Sequence, residues 1–321
     1  MIEVKHLSKR YGDFLAVDDI SFTIEKGKIY GLLGPNGAGK STTMNMITGC
    51  LSATEGSVTI GGVDILRSPE KAKRHIGYLP ELPPLYPEMT PYEYLFFVAE
   101  AKGVRKERAE RQVEQAMKLT GLSDVENRLI RNLSKGYRQR VGTAQAMLGN
   151  PDVIILDEPT VGLDPKQIIE IRDLIRRLGE VKTVILSSHI LAEIQAVCDH
   201  VMIISHGRLV ANDTIEGLEA DVNRNAALLL EIKGSLPAVT ELLKGIPGVH
   251  SFIPIRGKRS DTVEIRLHTT EGADPREAIF RACAQADLPL FRMESEAMTL
   301  EDLFLRLTDD SVTDETDEEE A

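Results

Sequence analysis

Cysteine is scarce in this chain of 321 residues: Cys50, Cys198 and Cys283 lie 148 and 85 positions apart. That spacing builds neither a disulfide framework nor a thiolate metal site, so the three are read as reduced, cytosolic thiols. Long apolar runs are missing too. Stretches such as Val153–Leu156 fall far short of the ~20 residues of a spanning helix, and Met1–His6 holds no apolar signal region. A basic excess is also lacking. The net charge is −12, from 50 acids against 38 bases, and eight of the acids fall in Asp309–Ala321, which has no base. Without them the rest carries −4, too little positive charge to neutralise a polyanion, so no nucleic-acid partner is expected. No repeat of fixed period runs through the chain.

What is present is the balance of a globular protein, 42% hydrophobic and 27% charged. Apolar runs of strand length, Ile29–Leu33, Val153–Leu156, Thr183–Leu186 and Val201–Ile204, alternate with helical segments. That pattern predicts an α/β fold with a parallel core sheet covered by helices. Ile2–Leu7 and Phe14–Ile24 read as strands of a small antiparallel β subdomain. Pro80, Pro83, Pro84, Pro87 and Pro91 then hold the chain extended, and helices over Tyr92–Ala101 and Lys106–Thr120 follow, so about 80–150 reads as an inserted helical subdomain. Beyond Asn212 the texture changes to strand Leu228–Ile232, helix Pro237–Lys244, strands Val249–Ile253 and Thr262–Leu267, helix Pro275–Ala286, strand Leu290–Glu294 and a short helix Leu300–Leu307. The order β-α-β-β-α-β predicts a C-terminal ferredoxin-like α+β domain. The expected boundaries are 1–212, 213–308 and a disordered acidic tail over 309–321.

Gly34-Pro35-Asn36-Gly37-Ala38-Gly39-Lys40-Ser41 fits G-x-x-x-x-G-K-[ST], between an apolar strand and a helical run through Ile47. Glycines let backbone N–H groups face an anion, and the helix N-terminus adds free donors and the positive end of a dipole. Lys40 is then placed to reach the terminal phosphates of a nucleotide, with Ser41 as a Mg²⁺ ligand and Thr42 beside it. A plain glycine turn with a surface lysine is the competing reading, and the strand before and helix after argue against it. Val153–Leu156 is a buried-type strand ending in Asp157 and Glu158, 117 residues beyond Lys40. Strand C-terminal ends share one crevice in such sheets, which puts Asp157 in position to hold Mg²⁺ and Glu158 to polarise an attacking water.

Taken together, the motifs resemble the ATP-binding subunits of ABC transporters over about Met1–Asn212. Leu133-Ser134-Lys135-Gly136-Tyr137, followed by Arg138-Gln139-Arg140, resembles the family's signature sequence and precedes the acidic strand end by 20 residues. Pro159-Thr160-Val161-Gly162-Leu163-Asp164 is similar to its D-loop, Ser187-Ser188-His189 to the segment carrying its switch histidine, and Tyr11 to the aromatic that stacks on adenine. The resemblance implies a P-loop NTPase fold and an ATPase with ATP and Mg²⁺ as cofactors. It implies ATP-binding roles for Tyr11, Gly34, Asn36, Gly37, Gly39, Lys40, Ser41, Thr42, Ser134, Gly136 and Asp164, catalytic roles for Glu158 and His189, and metal-binding roles for Ser41, Glu81 and Asp157. Ser134 also reads simply as the N-cap of the helix through Met147, and both readings hold at once. By resemblance that helix end clamps the γ-phosphate of ATP held on another subunit, in a homodimer or with a paired ATPase subunit.

The chain departs from the family pattern at Glu81, where glutamine is usual, and at Lys135 and Tyr137, where glycine and glutamine are commonest. Glu81 keeps oxygen donors for a metal but loses the amide donor. These variants and the C-terminal extension resemble ATPases serving separate ABC-2 type export permeases, the group with drug-resistance and gliding-motility exporters, which places the chain at the cytoplasmic face of the cell membrane. Five of the 15 aromatics fall in Tyr86–Phe97: Tyr86, Tyr92, Tyr94, Phe96 and Phe97. Core packing is the favoured reading at each, with anchorage of a permease helix as the other. Arg105, Lys106, Arg108 and Arg111 read as a solvated helix face. Two other functions compete: a soluble ABC ATPase acting on DNA or ribosomes, whose usual coiled-coil insertions or tandem cassettes are not seen, and a weakly hydrolysing regulatory module, suggested by Glu81 and opposed by Glu158.

Overall fold

The computed structural model describes residues 1–224, 227–255, 259, 261–270, 273–296 and 299–309, so the expected acidic tail lies almost wholly outside the described residues. The chain divides into two compact units, a larger one built on Met1–Ile215 and a smaller one of Glu216–Arg306. No helix among the described residues is long and apolar enough to cross a membrane.

The larger unit begins with the hairpin β1 (Ile2–Tyr11) and β2 (Phe14–Ile24), whose tip sets Tyr11 opposite Phe14. Then come β3 (Ile29–Leu33), α1 (Lys40–Ile47), β4 (Glu55–Ile60), β5 (Val63–Asp64), α2 (Pro69–Lys73) and β6 (Ile76–Leu79). The inserted helices are α3 (Pro91–Ala101), α4 (Lys106–Thr120) and α5 (Lys135–Met147). β7 (Val153–Leu156), α6 (Pro165–Gly179), β8 (Thr183–Ser188), α7 (Leu191–Val197), β9 (His200–Ser205) and β10 (Arg208–Thr214) complete it, and α8 (Ile215–Arg224) follows.

Two sheets form the core of this unit. The antiparallel one runs β2-β1-β4-β5, and the six-stranded one runs β10-β9-β3-β8-β7-β6, parallel except for the β9–β10 hairpin. β3, β7 and β8 are buried along their whole length, which is why they read as unbroken apolar runs rather than alternating ones. Ile2, Val4 and Val58 of one sheet pack with Leu32, Ile155, Ile185 and Met202 of the other around Met44 and Met46 of α1. β4, β5, β6 and α2 carry no strong local pattern and are not found from sequence alone.

The helical subdomain has its own core, in which Tyr94, Leu95, Val113, Met117, Val141 and Ala144 meet. A capping box opens α3: the Thr90 hydroxyl accepts from Glu93 N–H and the Glu93 carboxylate accepts from Thr90 N–H. At its other end the Lys102 ammonium donates to the Gln145 and Leu148 carbonyls, which terminate α5. The α4 cations Lys106, Arg108 and Arg111 are exposed, as a solvated face requires. Among the aromatics, Tyr94 is buried and Phe96 packs against the core, but Tyr86, Tyr92 and Phe97 are exposed, contrary to the core reading. Tyr92 and Phe97 lie on α3, and Tyr86 lies in the proline-rich segment before it.

The smaller unit contains β11 (Ala227–Lys233), α9 (Leu236–Lys244), β12 (Val249–Ile255), β13 (Thr262–Thr269), α10 (Arg276–Gln285) and β14 (Leu290–Glu296), and α11 (Leu300–Thr308) ends the described chain. Its sheet runs β12-β13-β11-β14, antiparallel throughout, the ferredoxin-like order. Leu228, Leu230 and Ile232 alternate along β11 toward Val239 and Leu243 of α9 and Ile279 and Cys283 of α10, so both helices lie on one face of the sheet.

Candidate nucleotide site

The loop between β3 and α1 must turn backbone donors toward one point and stay close to its neighbours. Gly39 makes this possible. It has φ +105°, and a Cβ there would stand 2.6 Å from the Ala16 carbonyl oxygen, so an L side chain is excluded by conformation and by space. Lys40, the first residue of α1, is only 5% exposed. Its ammonium donates to the Gly34 carbonyl at 2.8 Å and the Pro35 carbonyl at 3.1 Å, and lies 3.6 Å from Glu158 Oε1. Burial lowers its pKa, and the Glu158 carboxylate works against that shift.

Parallel pairing of β6, β7 and β8 brings three strand ends to this loop. Leu79 faces Leu156 and Leu156 faces Leu186, so Glu81, the Asp157–Glu158 pair and the Ser187–His189 segment emerge side by side. Glu158 adopts φ +47°, a left-handed conformation that costs a non-glycine residue of order 1 kcal/mol and persists only where its surroundings enforce it. The enforcing group is Ser187. Its hydroxyl accepts from Glu158 N–H at 2.8 Å and donates to Asp157 Oδ1 at 2.6 Å, tying both acids at once. Asp157 Oδ1 also lies 3.5 Å from the Ser41 hydroxyl, and His189 Nδ1 lies 3.0 Å from Glu158 Oε2.

A cavity of about 520 Å³ gathers most of the residues singled out from sequence: Tyr11, Asn36, Gly37, Gly39, Lys40, Ser41, Thr42, Glu81, Glu158 and His189 all line it. Gly34 and Asp157 are buried behind that wall. Ser134, Gly136 and Asp164 do not line it; they stand at the N-termini of α5 and α6. Ser134 caps α5 by accepting from Tyr137 N–H at 3.4 Å, and Asp164 caps α6 in a capping box with Gln167.

Sequence reasoning missed three groups here. Phe14, 64% exposed, joins Tyr11 at the mouth of the cavity because the two are cross-strand partners. Ser187 was read only as a neighbour of His189. Buried Glu193 accepts from the Thr160 hydroxyl at 2.6 Å and the Ser188 hydroxyl at 2.9 Å, joining the loop after Glu158 to the loop before His189. Alternation of aromatics at a hairpin tip signals Phe14; nothing local signals Glu193.

A phosphate loop at a strand–helix junction, a buried lysine and two acids on the adjoining strands define a nucleoside triphosphatase of the phosphate-loop class. The comparisons with known proteins narrow this. The ABC transporter family profile matches residues 17–161. The chain is 33% identical over 311 residues to the uncharacterised ABC transporter ATP-binding protein YhcH of Bacillus subtilis (strain 168), covering 96% of each. It is 30% identical over 318 residues to the linearmycin resistance ATP-binding protein LnrL of the same organism, covering 98% of this chain and 100% of that one. Among solved structures, the ATP-binding cassette MJ0796 in a dimeric post-hydrolysis state with ADP and Pi aligns with a TM-score of 0.61 at 25% identity, over 67% of this chain and 99% of that one. The chain belongs to the ABC transporter family, as an ATP-binding subunit with ATPase activity.

Proposed function

We propose that this chain pairs with a second copy of itself, or with a paired ATPase subunit, around two ATP molecules and drives a separate ABC-2 type export permease at the cytoplasmic face of the membrane. One observation carries the reading: the chain's two anion-holding elements are separated. The phosphate loop lines the cavity, whereas the α5 N-terminus with Ser134 and Gly136, with its first-turn N–H groups and the positive end of its dipole, is not part of that lining. A nucleotide in the cavity is therefore held on one side, and a partner's α5 supplies the second.

Within the cavity, Tyr11 stacks on the base, Asn36, Gly37, Gly39 and Thr42 follow the phosphates, and Lys40 meets their charge. Glu158, held in place by Ser187, takes the proton of the attacking water, and His189, in hydrogen-bonding reach of Glu158, orients water and γ-phosphate together. The Ser41 hydroxyl and the Asp157 carboxylate, with Glu81 on the next strand end, are the oxygen donors Mg²⁺ prefers when phosphates and water complete its shell. Bound there, the ion would neutralise phosphate charge. Glu81→Ala is expected to raise the Mg²⁺ requirement and lower turnover; an unchanged profile refutes the metal role.

The export reading draws on the drug-resistance name of one relative and on the surface. A groove of about 1100 Å³ runs between Lys73, Arg74 and Tyr78 on one side and Lys102, Arg105 and Arg108 on the other. Exposed Tyr86 and Phe97 pack edge to face at 5.6 Å on the same subdomain, and such aromatics suit the anchoring of a permease helix. The test is Glu158→Gln protein with Mg-ATP, followed by light scattering on a sizing column. A dimer that does not hydrolyse is expected; protein that stays monomeric overturns the proposal. Co-sedimentation with membranes is expected only alongside a co-expressed multi-span partner, and co-sedimentation with ribosomes instead would reject transport.

A further inference from the structure

α5 and α6 belong to different cores. Val141 and Ala144 of α5 are buried with α3 and α4, whereas Ile171, Leu174, Ile175 and Leu178 of α6 are buried away from that cluster, against the sheet side. The seam between them is open: cavities of about 250 Å³ and about 630 Å³ lie along it, one lined by Lys118, Gly121, Arg140, Glu170 and Asp173, the other by Ala116, Leu119, Met147 and Leu178. Polar side-chain contacts bridge this open seam.

Three contacts link α5 to α6 and the loop before it, the last two about one turn apart. The Lys135 ammonium lies against Gly162, where a Cβ would collide with it. Gly136 faces the Gln167 side chain so closely that a Cβ there would stand 2.7 Å from its Cδ. Arg140 forms an ion pair with Glu170. Spacings of four residues on α5 and three on α6 keep the last two contacts on facing sides of their helices.

Arg140 is the best supported of these. Its guanidinium lies 5.5 Å from the centre of the Tyr137 ring, and the Tyr137 hydroxyl donates to Asp124 Oδ2 at 2.7 Å. It also passes Gly121, the C-cap of α4 at φ +67°, where a Cβ would come within 2.9 Å of Nη1. A planar cation is thus fixed on an aromatic face, beside the negative end of α4, with one carboxylate in front of it.

We propose that Arg140 and Glu170, braced by Tyr137 and Asp124, are positioning residues that set the signature helix relative to the loop carrying Glu158 and Asp164, so that each protomer's grip on its partner's ATP is tied to the state of its own site. The inference rests on the dimer reading given above. α6 is capped by Asp164, six residues after Glu158, so a shift of that loop moves Glu170; α5 is capped by Ser134, so a pull on Arg140 moves the anion-binding end. Neither residue lines the ATP cavity, so neither contributes to the first half of nucleotide binding.

The test uses full-length Glu158→Gln protein as parent, with added Arg140→Gln, Glu170→Gln, both together, and Tyr137→Phe. Dimerisation with Mg-ATP is measured by light scattering, and nucleotide binding to the monomer by a fluorescent ATP analogue. Each single charge variant is expected to weaken dimerisation about 10- to 100-fold, the range for a lost hydrogen bond to a charged group, with monomer affinity within about twofold. The double variant should be no weaker than the worse single one, and Tyr137→Phe should shift dimerisation the same way by less. Unaltered dimerisation, additive losses, or a parallel loss of monomer affinity would overturn the assignment. A parent that never dimerises sinks the dimer reading itself, which separates the two failures.

Discussion

The two ends proposed above to hold anions are built by opposite means. At the phosphate loop, position is set by backbone: Gly39 sits against the Ala16 carbonyl, Lys40 donates to two loop carbonyls, and Ser187 bonds a main-chain N–H and a carboxylate, all within a buried wall. At the signature helix, position is set by side chains reaching across an open seam, with Ser134 and Lys135 exposed. The difference teaches where adjustment is possible. A loop held by main-chain contacts has one geometry, whereas an end held by Lys135, Gln167 and Arg140 can follow a neighbour, which suits the proposed closing on and release of a partner's nucleotide.

Glycine-to-alanine changes at the two ends test this contrast directly, and the larger effect belongs to the loop. Gly39→Ala combines a left-handed φ with a backbone collision, a strain of about 3 kcal/mol or more that only displacement of the loop relieves. ATP affinity measured by nucleotide fluorescence is expected to fall at least ~100-fold. Binding close to that of the unaltered protein would show that the loop is not over-determined and would erase the contrast.

Gly136→Ala comes second. The atoms its Cβ meets are the end of the flexible Gln167 side chain, which swings aside cheaply. The monomer is expected to bind ATP as before, while dimerisation and steady-state turnover fall roughly tenfold, because the added methyl and the displaced Gln167 side chain reshape the helix end proposed to meet the partner's nucleotide. A loss of monomer affinity matching that of Gly39→Ala would mean that both ends are equally rigid.

Legibility in the sequence follows the same division. β3, β7 and β8 are readable because strands buried on both faces must be apolar throughout, and the phosphate loop because its spacing is imposed by main-chain geometry. The ferredoxin-like order of β11 to β14 is readable because Leu228, Leu230 and Ile232 alternate. The Arg140–Glu170 pair is not readable: the two are 30 residues apart on helices whose polar faces look solvated, and only the tertiary fold puts them together. Tyr92 and Phe97 mislead for the related reason that α3 has more aromatics than its one buried face accepts. Glu193, an acid in the first turn of a seven-residue helix, reads as a solvated N-terminal charge.

Glu193 supplies the smallest test, because it asks whether the buried side of the contrast extends beyond the loop itself. The residue is 6% exposed, and one of its oxygens accepts from both Thr160 and Ser188. Those hydroxyls belong to the segments that follow Glu158 and precede His189, so the carboxylate holds Glu158, proposed to activate water, and His189 in one frame. Glu193→Gln keeps shape and an acceptor oxygen but removes the charge, and charge-assisted hydrogen bonds are about twice as strong as neutral ones, so roughly 1 kcal/mol of stability is expected to go, or about 2–4 °C in a melt of a unit this size. Turnover at saturating ATP should drop a few-fold while ATP affinity holds, since the phosphate loop does not touch this tie. A melt that shifts with turnover unchanged would assign Glu193 to stability alone and confine the rigid half of the site to the loop and Ser187.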